Sequence, residues 1–276
     1  MSNPDKCVIV CGGFDNIRSQ DVRFLQEAAH LGSLCVLLWN DESLRFVTRK
    51  DPKLPQEERL YFLQAIRYVS RVHLTAQRSD SDSLPSVHGV NPFMWVVRQS
   101  DDTAAKQAFC SKKGLEYRVL TNSDLAGFPN TLETEPQETS RKKVLVTGCY
   151  DWFHSGHVRF FEEVSELGDL YVVVGHDDNV RALKGQGHPM LPQDERRYMA
   201  QSIRYVKQAL ISTGHGWLDA EPEIERTKPD IYALNEDGDK PEKRKYCQEH
   251  GIEYVVLKRL PKTGLPRRES TVLRGF

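Results

Sequence analysis

An α/β architecture, repeated twice in tandem, is implied by three features of the 276-residue sequence. Short apolar runs of strand length alternate with stretches of helical period, which calls for a mainly parallel sheet flanked by helices. The chain aligns with itself along most of its length. The segment between the two copies is polar, contains Pro129 and Pro136, and has no apolar periodicity, as expected of a linker.

The self-match is specific. Gly12, Asp15, Ser19 and Val22-Arg23-Phe24 fall on Gly148, Asp151, Ser155 and Val158-Arg159-Phe160 at an offset of 148 − 12 = 136. After a one-residue slip the offset becomes 191 − 54 = 137, and Leu54-Pro55-Gln56 meets Leu191-Pro192-Gln193. Arg59 then meets Arg196, Ile66-Arg67-Tyr68-Val69 meets Ile203-Arg204-Tyr205-Val206, and Gly114-Leu115-Glu116-Tyr117 meets Gly251-Ile252-Glu253-Tyr254. One register held with a single slip is the signature of a duplication. It sets domain 1 at 5–122, a linker at 123–141 and domain 2 at 142–276.

Within domain 2, Val144-Leu145-Val146 reads as a buried strand that leaves through a Gly-containing turn. A helix follows, with Val158, Phe161, Val164 and Leu167 near one face and Gly168 as its stop signal. Residues 170–174 form the next strand, and Pro192 opens another helix in its first turn. Further strands are expected at 209–211, 231–234 and 254–257. In such doubly wound sheets ligands bind outside the carboxyl ends of the strands.

Composition excludes several roles. Lys+Arg 38 against Asp+Glu 39 leaves no basic surplus for a nucleic-acid partner. The N-terminus lacks the pattern of a signal peptide, and no run approaches the roughly 18 apolar residues of a membrane span. Six cysteines, several in apolar runs, read as buried free thiols of a cytoplasmic protein rather than a disulfide framework.

The chemistry concentrates in Gly148-Cys149-Tyr150-Asp151-Trp152-Phe153-His154-Ser155-Gly156-His157. Gly148 permits a tight exit from the strand, and Gly156 removes bulk where a phosphate would approach the helix start. His154 and His157, three apart at a helix N-terminus, face one way. Backbone N–H groups and the helix dipole favour an anion there. Two imidazoles add donors for the charge that builds as an α-phosphate is attacked and pyrophosphate departs.

His154-Ser155-Gly156-His157 in this context resembles the HxGH signature of the nucleotidylyltransferase superfamily. Gly148 to Asp151, Leu167-Gly168-Asp169, Asp177, Lys184-Gly185, Glu195-Arg196 and Ile203 to Val206 are similar to the glycerol-3-phosphate and ethanolamine-phosphate cytidylyltransferases. The resemblance covers most of domain 2. It implies a Rossmann-like fold and transfer of CMP from CTP to a phosphorylated alcohol, giving a CDP-alcohol and pyrophosphate. It also implies His154, His157 and Lys184 at the reacting phosphates. Gly148, Tyr150, Asp151, Gly156, Arg196, Asn235, Ser270 and Thr271 would surround the nucleotide, and Trp152, Asp177 and Arg268 the acceptor. Mg²⁺ is expected with the triphosphate, with no side-chain metal site. Many members are dimers, so a homodimer, or an intrachain pairing through domain 1, is expected.

Two stretches depart from the family. Its R-T-x-G-I/V-S-T-T signature caps the last helix, whereas Lys262-Thr263-Gly264 and Ser270-Thr271 are separated here by an insertion containing Arg267 and Arg268, which can take over a phosphate contact. A Gly-Asp/Asn-Asp run is replaced by Asn235-Glu236-Asp237-Gly238-Asp239. Domain 1 departs further: His154, Gly156 and His157 become Arg18, Gln20 and Asp21, and a carboxylate there repels a triphosphate. Domain 1 therefore reads as catalytically dead.

Plainer readings stand beside these. Arg196 could be an ion-pair partner of Asp194 or Glu195, Lys184 a solvated lysine, Asp177 a turn former and Ser270-Thr271 an ordinary cap. Cys149, His154, His157 and His176 could cluster around a metal. Two other functions remain open: an adenylyltransferase acting on a sugar phosphate or vitamin-derived phosphate, and a non-catalytic nucleotide-binding or scaffold protein.

Overall fold

The computed structural model describes residues 6–76, 81–129, 139–270 and 272–273. The chain separates into two compact units at Gly127/Phe128. Of the expected linker, 130–138 lies outside the described residues, and Leu125 is buried in the N-terminal unit.

The N-terminal unit runs β1 (Lys6–Gly12), α1 (Ser19–Ala29), β2 (Leu34–Trp39), α2 (Asp41–Thr48), α3 (Gln56–Ala65), β3 (Arg71–Thr75), β4 (Asn91–Arg98), α4 (Ala104–Lys113) and β5 (Glu116–Leu120). Its strands pair in parallel in the order β3-β2-β1-β4-β5. Cys7, Val8, Ile9 and Val10 of the central strand are all fully buried. A continuous apolar run of this kind suits a strand covered on both faces.

The C-terminal unit runs β6 (Lys143–Gly148), α5 (Ser155–Leu167), β7 (Asp169–Val174), α6 (Asp177–Lys184), α7 (Gln193–Gln201), β8 (Val206–Ile211), α8 (Glu221–Thr227), β9 (Ile231–Asn235), α9 (Pro241–Glu249) and β10 (Glu253–Leu257). Its parallel sheet has the order β10-β9-β6-β7-β8, which is the N-terminal order read from the other edge. In each unit the first strand stands between the second and fourth. The connections leave its two sides in opposite directions and open a crevice at the strand ends.

Two local expectations shift. Leu167, placed on the buried face of α5, is 38% exposed because it is the last helical residue; Phe160, beside Phe161, is buried instead. Gly168 ends the helix as expected, and a side chain there would collide with the Lys142 carbonyl. Pro192 is the cap of α7 rather than its first helical residue. Among the described residues no helix is long and apolar enough to cross a membrane.

Candidate active site

The loop between β6 and α5 is held by a residue in the left-handed region. Tyr150 has φ +52°, a conformation that side chains with a Cβ adopt at some cost. It folds the phenol back over Gly148, where a Cβ would come within 2.7 Å of the ring. Tyr150 is buried, its hydroxyl has no hydrogen-bond partner among the described residues, and burial pushes its pKa up. The ring meets His157 edge-on at 5.4 Å, and Phe153 stacks against the same imidazole at 5.1 Å.

The two histidines lie against each other, with ring centroids 4.0 Å apart. His154 is the N-cap of α5, and its Nδ1 accepts the Gly156 N–H at 3.1 Å. His157 Nδ1 accepts the His154 N–H at 3.3 Å. Each Nδ1 is therefore an acceptor, which assigns the proton of each neutral ring to Nε2. Burial first, then the neighbouring His154 ring and the charges of Arg259 and Lys184, hold the His157 pKa well below the ordinary imidazole value. His157 is accordingly neutral at physiological pH. Gly156 has a different neighbour from the one expected: a Cβ there would lie 2.8 Å from the His154 ring, so the glycine makes room for that imidazole.

Two cationic side chains, Lys184 and Arg259, act on His157 through their charge. Lys184 is exposed at the end of α6 and has no ion-pair partner among the described residues. Arg259, which the sequence reading did not single out, pairs with Asp237 at 2.7 Å. Its position just past β10 was the signal available. Arg259 also reaches the Arg268 carbonyl at 3.4 Å, bringing the segment after β10 over the start of α5. A narrow cleft is formed there by Ser155, Gly156, Asn235, Arg259, Lys262 and Arg268. Asn235 ends β9, and its buried Oδ1 has no partner among the described residues. Lys262 donates to Glu162 on α5 at 2.7 Å. Ser270 caps no helix among the described residues; its hydroxyl donates to the Trp152 carbonyl at 3.2 Å. Gly264 and the prolines at 261 and 266 interrupt the chain before it, and no helix follows β10 among the described residues. Thr271 lies outside the described residues.

Three residues expected around the substrates stand behind the loop instead. Arg196 is fully buried. Its guanidinium donates to the Leu191, Cys149 and Gly175 carbonyls at 2.9, 2.6 and 2.8 Å and to Asp177 at 2.7 Å. Arg196 thus has no face open to a nucleotide, nor is it the surface partner of Asp194 or Glu195. Asp177 is occupied by Arg196, and its amide donates to Gln193 at 2.9 Å. Asp151 accepts the Met190 and Leu191 N–H groups at 2.7 and 2.9 Å.

The N-terminal unit repeats every one of these contacts. Arg59 donates to the Leu54, Gly13 and Trp39 carbonyls and to Asp41, and Asp41 N–H donates to Gln56. Asp15 accepts the Lys53 and Leu54 N–H groups. Phe14 has φ +46° where Tyr150 has its positive φ. These residues fasten the loop whether or not histidines are present. At the helix start the units part company: Asp21 accepts the Arg18 N–H at 2.7 Å and pairs with Arg98 at 2.6 Å, in the places of His157 and Asn235.

As for a metal, among the described residues no group of three or more His, Cys, Asp or Glu is placed to hold one. His176 has its ring nitrogens at the Asn179 N–H and the Gly214 carbonyl.

Comparison with known proteins bears on the same unit. The family described as cytidylyltransferase-like matches residues 145–260. An FAD synthase of Ferroglobus placidus is 36% identical over 120 residues, covering 42% of this chain and 75% of that protein. The chain belongs to the cytidylyltransferase-like family. This nucleotidyltransferase is also 36% identical over 126 residues to an FAD synthase of Thermococcus kodakarensis, covering 44% of the chain and 83% of the relative. Among solved structures, the lipopolysaccharide core biosynthesis protein of Thermoplasma volcanium aligns at 23% identity with a TM-score of 0.37, over 46% of this chain and 98% of that one. The chain is thus an enzyme of nucleotidyl transfer to a phosphorylated substrate, and the binding-only reading is set aside.

Proposed function

We propose that the C-terminal unit transfers CMP from CTP to the phosphate of a small phosphorylated alcohol, giving a CDP-alcohol and pyrophosphate. The acceptor phosphate oxygen bonds to the α-phosphorus, and the bond from that phosphorus to the bridging oxygen of pyrophosphate breaks. The observation that carries this reading is the His154–His157 pair with both Nδ1 atoms engaged. Two Nε2–H donors then meet negative charge as it grows on the α-phosphate. Lys184 and Arg259 add positive charge for the triphosphate, and Asn235 Oδ1 and the Tyr150 hydroxyl offer unpaired polar atoms to the substrates. Mg²⁺ arrives in this scheme as the counter-ion of the triphosphate, because charge on the triphosphate needs neutralising. A cytoplasmic location agrees with six free thiols.

The relatives named FAD synthase favour a second reading: ATP as donor and a vitamin-derived phosphate as acceptor. The phosphate-facing groups serve either base equally. Pyrophosphate release with CTP or ATP, each paired with phosphoglycerol, phosphoethanolamine, a sugar phosphate or riboflavin phosphate, separates the two. Turnover with CTP and a phosphorylated alcohol is expected. Turnover with ATP alone transfers the assignment to the second reading, and none with any pair defeats both.

A further inference from the structure

The N-terminal unit has lost the histidines and kept the crevice. A cavity of about 500 Å³ opens at the carboxyl ends of β1 and β4, on either side of the point where the strand order reverses. That volume lies within the range of small-molecule sites. Phe14, Phe24, Trp39 and Trp95 give it aromatic walls.

Charge within the cavity is answered from inside the unit. Asp21 holds Arg98 and the Arg18 amide, and Asp15 holds two backbone N–H groups. Lys106 donates to Asp82 at 3.1 Å and to the Asp101 carbonyl at 2.8 Å. A triphosphate entering here meets committed cations and a carboxylate at the helix start.

One donor is left over. In the C-terminal unit the Tyr232 hydroxyl pairs with Thr147 at 2.7 Å. The counterparts are Trp95 (232 − 137) and Cys11 (147 − 136), but the Cys11 sulfur takes the Trp39 indole N–H at 3.1 Å. Trp95 is 2% exposed, and its Nε1 has no hydrogen-bond partner among the described residues. A buried N–H in that state calls for an acceptor.

We propose that this cavity binds a flat, uncharged heteroaromatic of nucleoside size, enclosed by the aromatic walls and accepting a hydrogen bond from Trp95. The test is calorimetric titration of the full chain carrying His154→Ala and His157→Ala, using adenosine and cytidine, with ATP and CTP as their charged counterparts. The component of binding that disappears on Val47→Phe belongs to the cavity, since Val47 lines it from a 36% exposed position on α2. At least one nucleoside is expected to show that component and to weaken about tenfold with Trp39→Ala, while the triphosphates show none. Thermal unfolding of both variants, and pyrophosphate release when they are made with the native histidines, report that the fold is intact. The proposal is overturned if neither nucleoside shows a component sensitive to Val47→Phe or Trp39→Ala, or if a triphosphate binds the cavity as tightly as its nucleoside.

Discussion

Arg59 and Arg196 bind the same set of carbonyls and the same aspartate in two units that differ in chemistry. Around the helix start the agreement ends, with Asp21 and Arg98 in one unit and His157 and Asn235 in the other. The contrast sorts the residues of the active loop. Those that recur where the histidines are absent hold the backbone, and those confined to the C-terminal unit are the ones to test against substrate. A buried arginine with its donors on carbonyls is part of the scaffold even when it lies one shell from the reaction.

The largest expected effect tests the shared part. Arg59→Ala and Arg196→Ala should each destabilise their own unit by about 3–5 kcal/mol, because each leaves an aspartate and three carbonyls without their partner. Denaturant unfolding followed by hydrogen exchange in each unit measures this; a tolerated Arg59→Ala beside a damaging Arg196→Ala would break the parallel. Next in size, His154→Ala or His157→Ala should lower kcat by about 10²–10³-fold with the fold retained. Asp21→Ala at the matching position should leave pyrophosphate release unchanged. Equal losses from both sets would assign catalysis to both units.

A smaller effect depends on pH. The folded-state pKa of His157 lies well below 6.5, so between those values the unfolded chain takes up a proton that the folded chain refuses. The stability contributed by neutral His157 is therefore present above about pH 6.5 and lost as pH falls below it, by at most about 1.4 kcal/mol per pH unit. His157→Gln should flatten that part of the C-terminal unit's stability profile, and an unchanged slope would show that the ring is protonated in the folded state. Smallest of all, Lys184→Ala should raise the KM for the triphosphate about tenfold with little change in kcat, since an exposed cation contributes modestly. A loss confined to kcat would place Lys184 at the transition state instead.

Much of the fold was legible because apolar periodicity and the self-match speak to backbone layout. Val144-Leu145-Val146, the turn at Gly148 and the helix from Ser155 to Leu167 with its stop at Gly168 stand where the pattern placed them. The histidine pair was legible too, since spacing of three at a helix start forces proximity. Side-chain direction was not. Nothing local to Glu195-Arg196 says that the guanidinium turns inward; the retention of Arg59 in a copy without histidines was the clue that it does. Arg259 was missed because it lies outside the Lys-Thr-Gly element, and only the return of the chain across α5 brings its charge to His157.

The capping of α5 has one more consequence. With both Nδ1 atoms bound to main-chain N–H groups and both protons on Nε2, neither imidazole has a lone pair to offer for deprotonation. An attacking oxygen has to arrive already ionised, as that of a phosphate monoester is at neutral pH and that of an alcohol is not. The helix start thereby selects the class of nucleophile before any residue touches its carbon skeleton.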